Sequence, residues 1–179
     1  MKTCIALFRG INVGGKNLLP MKDLVRILEG LGLRDVRTYI QSGNVVFAAG
    51  TDIGPGLAAA IGAAVETAFG FMPAVLLLTL PELEAAIAEN PFPEAVTDPK
   101  TLHVNFLAAA PGAPDLDGLE ALRTDSERFD LTDRRFYLHA PDGIGRSKLA
   151  ARAERLLGVP MTGRNWRTVC KLRELAARL

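Results

Sequence analysis

Several residue types are scarce in this chain of 179 residues, and each scarcity excludes something. There are two cysteines, Cys4 and Cys170, far apart in the sequence and each inside an apolar pattern. A disulfide framework is therefore excluded, and buried free thiols in a reducing compartment are the expectation. There are two histidines, and neither joins a cysteine at zinc-ligand spacing, so no metal site is expected. Net charge is scarce too, at +1. Wholesale electrostatic attraction to nucleic acid or membrane is not indicated, although a local basic patch stays open. No run approaches the roughly 20 apolar residues that span a bilayer, so no membrane partner is expected. The apolar start, Thr3 to Phe8, is too short for a signal core and meets Arg9. A cytoplasmic protein is the default expectation.

What is present is ordinary globular material, with 49% hydrophobic and 23% charged residues. Thr3 to Phe8 reads as a strand. Pro20 opens a helix carrying Leu24, Ile27, Leu28 and Leu31, which Gly30 and Gly32 can stop. Val36 to Gln41 alternates as a strand, Ser42-Gly43-Asn44 turns, with Asn44 suited to a left-handed backbone, and Val45 to Ala48 returns. A second helix spans Pro55 to Phe69, and Val75 to Leu80 is a further strand. The order β-α-β-β-α-β over residues 1–80 is that of a ferredoxin-like unit, two helices on one face of a four-stranded antiparallel sheet.

Residues 81–179 are less regular and read as a second plait-like α/β unit with C-terminal helices, so the fold class is α+β. Pro81 starts a helix, Leu102 to Leu107 is a strand, and Leu116 to Leu122 is a short helix. Glu127 to Leu131 and Arg135 to His139 form a hairpin. Ser147 caps a helix, and a last helix runs from Asn165 to Leu179. No repeat of 20–50 residues is visible.

Four segments carry chemistry. In Arg9-Gly10-Ile11-Asn12-Val13-Gly14-Gly15-Lys16-Asn17, glycines allow φ > 0 and bring amides close to a ligand, just ahead of a helix start. Arg9, Asn12, Gly14, Gly15, Lys16 and Asn17 are candidate anion ligands. The segment has the Walker A spacing from Gly10 to Gly15 and Lys16. Asn17 stands where the magnesium-binding hydroxyl belongs, which excludes a P-loop ATPase. In the second segment, Ser42 and Asn44 of the turn between the strands Val36 to Gln41 and Val45 to Ala48 are candidates. That turn is expected at the opposite end of the sheet from the first helix start. The third, Pro141 to Lys148, offers Arg146 and Lys148 ahead of a helix. The fourth, Thr162 to Lys171, offers Arg164 and Asn165, with Arg164, Arg167, Thr168 and Lys171 at the spacing of one helix face. His103 and His139 lie in strand patterns without a nucleophile turn, so no hydrolase triad is read.

The stretches Phe8 to Asn17, Met21 to Leu24, Tyr39 to Phe47 and Thr162 to Thr168 resemble the bacterial family called domain of unknown function 1697. The resemblance covers essentially the whole chain and implies two ferredoxin-like units. It implies no established activity, cofactor or catalytic residue. The composite expectation is a binder of a small phosphate-bearing ligand, with cofactor unknown and enzymatic activity undecided. The alternatives are an RNA-binding module that stacks bases on Tyr39, Tyr137, Phe8 or Phe47, which the low net charge disfavours, and a structural or partner-binding protein.

Overall fold

The computed structural model describes residues 1–50 and 53–179. The first elements follow the expected order: β1 (Lys2–Arg9), α1 (Met21–Gly30), β2 (Arg34–Tyr39), β3 (Asn44–Ala49), α2 (Pro55–Phe69), β4 (Ala74–Thr79) and α3 (Leu80–Ala88). They are followed by β5 (Leu102–Leu107), α4 (Leu116–Leu122), β6 (Arg128–Leu131), β7 (Arg135–His139), α5 (Lys148–Leu157), β8 (Met161–Asn165) and α6 (Trp166–Ala176). The chain divides into two compact units, Met1–Ala85 together with Lys171–Leu179, and Ala86–Cys170. The sequence pattern put the division between Leu80 and Pro81.

Each unit holds one four-stranded antiparallel sheet, in the order β2-β3-β1-β4 or β6-β7-β5-β8. The second order is the first repeated, and both units run β-α-β-β-α-β. The α+β fold of two ferredoxin-like units read from the sequence is the fold observed.

In the first unit β1 and β3 bury nearly every residue on both faces, which is why they read as unbroken apolar runs. Cys4, Ala6 and Phe8 of β1 and Val45, Phe47 and Ala49 of β3 share a core with Leu24 and Leu28 of α1 and Ile61 and Val65 of α2. Burial pushes the Cys4 thiol above its ordinary range. Cys170, by contrast, is exposed, which corrects the expectation that both thiols are buried. On α6 the buried apolar positions are Trp166, Val169, Leu172 and Ala176, with Thr168 buried beside them, and Cys170 falls off that stripe. The start of α3 carries a signal the sequence reading passed over. Glu82 N donates to Thr79 Oγ1 while Thr79 N donates to Glu82 Oε2, a reciprocal cap.

In the second unit Phe136 and Leu138 of β7, Leu107 of β5, Leu119 of α4, and Leu149, Ala153 and Leu157 of α5 form the core. On the other face of β7, Tyr137 is buried and donates to Ala86 O at 2.8 Å; burial pushes its phenol up to about 12. β8 was not foreseen. Met161 to Asn165 has one strong hydrophobe and a glycine, so nothing in it announces a strand; pairing with β5 makes it one. Arg164 therefore lies on a strand, and the expected helix face running from Arg164 to Lys171 is corrected.

Candidate functional site

β1 and β2 are both antiparallel to β3, so they run parallel to each other and finish at the same edge of the sheet. The loop that leaves β1 and the turn that leaves β2 therefore meet. The register confirms it, with Leu7 opposite Asn44 and Phe8 N donating to Gly43 O at 2.8 Å. The expectation that these segments lie at opposite ends is corrected. The segment entering β4 reaches this end as well, since Ala74 pairs with Arg9.

The first loop is rigidly built. Five of the eight residues from Gly10 to Asn17 have positive φ: Gly10, Asn12, Gly14, Gly15 and Asn17. Lys16 N donates to Val13 O and Asn12 N to Asn17 O, each at 3.1 Å, so residues 12–17 form a miniature hairpin. Gly14 and Gly15 are its two central residues, at φ 59° and 74°, the left-handed pair that a two-residue hairpin turn requires. The dipeptide Gly-Gly between Val13 and Lys16 was the sequence signal for this hairpin. Asn17 Nδ2 closes the base onto Gly10 O at 2.9 Å.

Asn12 ties the loop to the rest of the unit. Its Nδ2 donates to Leu19 O at 2.9 Å and to Gln41 O at 2.8 Å, and its Oδ1 accepts from Leu19 N at 2.8 Å. One side chain thus pairs with both backbone groups of Leu19 and reaches the β2–β3 turn. Asn44 is fully buried and does similar work, donating to Tyr39 O and Ser42 Oγ. The left-handed residues of that turn are Ile40 and Gly43 rather than Asn44. The asparagines Asn12, Asn17 and Asn44 thus shape this end of the unit. Arg9, Gly14, Gly15, Lys16, Asn17 and Ser42 are the exposed candidates at this end.

The loop and turn segments carry few charges, and Asp23 stands beyond them in the first turn of α1. Residues 9–20, 39–44 and 69–74 contain Arg9 and Lys16 and no aspartate or glutamate. Lys16 makes no ion pair among the described residues, and the Gly14 and Gly15 amides take no part in the loop's own bonding there.

In the second unit β7 and β8 both end beside the start of β5, His139 opposite Leu102 and Asn165 opposite His103. The loop after β7, with Arg146 and Lys148 exposed, therefore starts at the same end of the sheet as Asn165. Ser147 caps α5 by accepting from Ala150 N, as its position before the helix suggested. Asn165 Oδ1 accepts from Thr168 N at 3.0 Å and caps α6. Arg164, one residue earlier, projects from the other face of β8. Its Nη1 donates to Gly163 O at 2.8 Å, and burial pulls the guanidinium down to about 10. It keeps its charge near neutral pH.

His103 is buried on β5, and its Nε2 has no hydrogen-bond partner among the described residues. Burial holds its imidazole below the ordinary 6.5, and a backbone hydrogen bond with Lys100 opposes this in part. His139 is also lowered, by burial first and then by Arg128. The folded protein thus keeps His103 neutral at pH values where the unfolded chain is protonated. The His103 contribution to stability is complete above about pH 6.5, the ordinary imidazole value, and is lost as the pH falls below it. In urea titrations at pH 7.5 and 5.5, His103→Gln should show a smaller acid-side loss than the parent. Equal losses would mean that His103 is not the titrating group.

Among the described residues no three histidine, cysteine, aspartate or glutamate side chains are grouped to hold a metal ion. No helix among them is long and apolar enough to cross a membrane. Phe8, Phe47 and Tyr137, considered above for base stacking, are buried, and only Tyr39 keeps partial exposure.

Comparison with known proteins gives a family and a fold. A family model described as a protein of unknown function, DUF1697, matches residues 1–137. No curated protein matches the chain. Among solved structures, the conserved bacterial protein SP0830 from Streptococcus pneumoniae is similar, with 26% sequence identity, a TM-score of 0.71 and 98% of each chain covered.

Proposed function

The chain belongs to the DUF1697 family of proteins of unknown function, and on that premise we propose that its first unit binds a phosphate-bearing ligand where the β1–α1 loop meets the β2–β3 turn. The observation that carries the reading is a left-handed loop, held by its own hydrogen bonds, that carries the exposed Lys16 and has no carboxylate within it. A floppy glycine loop would lose conformational entropy on closing around an anion. The Asn12 and Asn17 bonds have already fixed this one. The exposed Gly14 and Gly15 amides and the Lys16 ammonium then supply donors and charge together.

The test is a thermal-shift titration with inorganic phosphate. Saturation at a hundredfold excess over Kd stabilises a one-site binder by about 2.7 kcal/mol. Lys16→Ala should abolish most of the shift while changing the unliganded stability by no more than about 0.5 kcal/mol, because Lys16 is exposed and has no ion pair among the described residues. An unmoved melting temperature in the parent protein, with phosphate and with nucleotides, would leave the loop as a purely structural device.

A further inference from the structure

The outer strands of the two sheets are β2, β4, β6 and β8, and all but β4 carry devices that discourage further pairing. β2 has Arg34, Asp35 and Arg37 and a break in its register between Arg34 and Arg37. β6 has Arg128 and Asp130, and β8 has Gly163 and Arg164. β4, Ala74-Val75-Leu76-Leu77-Leu78-Thr79, contains no charge, glycine or proline, and its register with β1 is unbroken. An edge strand turns alternate N–H and C=O groups away from its sheet. Among the described residues, Ala74 to Leu78 have no hydrogen bond beyond the ladder with β1. Val75, Leu76 and Leu77 keep partial exposure. The helix on this side adds a second, independent oddity. α2 crosses from β3 to β4, and its Gly62 lies against Met72 and Pro73, which lead into β4. Among the 15 residues of α2 only Glu66 is charged, and Ala59, Ala60, Ala63 and Ala68 are exposed. A surface helix ordinarily turns a charged face to water, whereas this one turns alanines.

We infer that two copies of this chain pair through β4, antiparallel about a two-fold axis, and join their four-stranded sheets into one. Directly opposite residues of an antiparallel pair share a face, so the axis must pass through a residue rather than between two. Centred on Leu76, the pairing sets Val75 opposite the other copy's Leu77 and Ala74 opposite its Leu78, so every opposed side chain is apolar. Val75 and Leu77 already pack on the core between sheet and helices, and the pairing continues that layer into the second copy. The axis stands perpendicular to the sheet, so both α2 helices lie on the same side, and their alanines allow close approach. This is what favours a second copy over an extended segment of another protein, which would pair with the strand and leave the α2 flank bare. Charge agrees. Arg9 stands opposite Ala74 at one end of the strand, and Lys2 and Glu82 stand near Thr79 at the other. Antiparallel pairing therefore keeps the two Arg9 side chains at opposite ends of the joint, each beside a pair of opposite charges.

The experiment is sedimentation velocity of the full chain from micromolar to millimolar concentration, with Leu76→Lys, Leu76→Glu and an equal mixture of the two. The parent should form a dimer. Each variant alone sets like charges against each other at the two-fold centre and should weaken dimerisation at least about tenfold. The mixture sets lysine against glutamate and should recover dimers. Ala74→Lys guards the edge from an exposed position, so it tests the same pairing even where a Leu76 variant fails to fold, and it should weaken the dimer as well. Amide exchange in the parent needs no substitution: alternate residues between Ala74 and Leu78 should slow as the dimer fills. A parent that stays monomeric at every concentration would overturn the inference. So would a dimer that Ala74→Lys leaves unweakened, or one whose formation leaves exchange in β4 unchanged, since either places the interface elsewhere. Folded Leu76 variants whose mixture is no more dimeric than its components would overturn the pairing centred on Leu76.

Discussion

Gly43→Ala should be the most damaging single substitution at the candidate site, lowering the stability of the first unit by about 3 kcal/mol. Two effects add. Gly43 has φ +71°, a backbone where any L side chain is strained by about 1–2 kcal/mol. A methyl group there would also lie 2.5 Å from Phe8 Cβ and 2.7 Å from Ile11 Cδ1. Both neighbours are buried in the core of the unit, so neither can step aside. The closeness is enforced by the bond from Phe8 N to Gly43 O, which pins the turn against β1. Gly15→Ala is the internal control. It has a similar φ, +74°, but nothing lies within 4 Å of the added methyl. Only the strain, about 1 kcal/mol, should appear. Urea midpoints of the two variants measure the difference directly. Equal losses would mean that the turn relaxes away from Phe8 more easily than its packing implies.

Asn12→Ala should come second, with a loss of about 2 kcal/mol and a loosened loop. Three hydrogen bonds disappear, two of them to the backbone of Leu19, whose side chain is fully buried. Water can replace part of the bond to Gln41 O, which is exposed, and that keeps the total below the sum of three buried bonds. Alanine must also hold φ 53°, which asparagine tolerates better. Asn12→Gly separates the two contributions, because it keeps the backbone relaxed while losing the bonds. It should recover about 1 kcal/mol relative to alanine. Hydrogen exchange at the Leu19 amide should quicken in both variants. Protection that survives would show that the loop is held by its own hairpin rather than by the Asn12 clasp. If the phosphate site depends on a preorganised loop, both variants should lose the phosphate-induced thermal shift while Lys16 remains in place.

The local signals in the chain were readable where a period or a cap stated them. Pro20 and the spacing of Leu24 and Leu28 announced α1. The limits Pro55 and Phe69 of α2 were read as they stand, and Ser147 marked the start of α5. The Gly-Gly pair and the Thr79–Glu82 cap were present but passed over. Two other features had no local signal. β8 has too little apolar pattern to be a strand alone, and its identity comes from bonding to β5. Asn12 and Gln41 lie 29 positions apart, and no periodicity connects them. The buried state of Asn44 is also beyond local reading, because a turn asparagine and a core asparagine have the same neighbours in sequence.

Sequence alone determined the elements of the first unit, the α+β class and the segments rich in glycine and cations, because hydrophobic period and backbone freedom are properties of neighbouring residues. Only the tertiary structure decided which edge those segments share, which asparagines face inward and which cysteine is exposed. Strand direction, pairing and burial arise between residues far apart in the chain, and there the geometry of the sheet outweighs local preference.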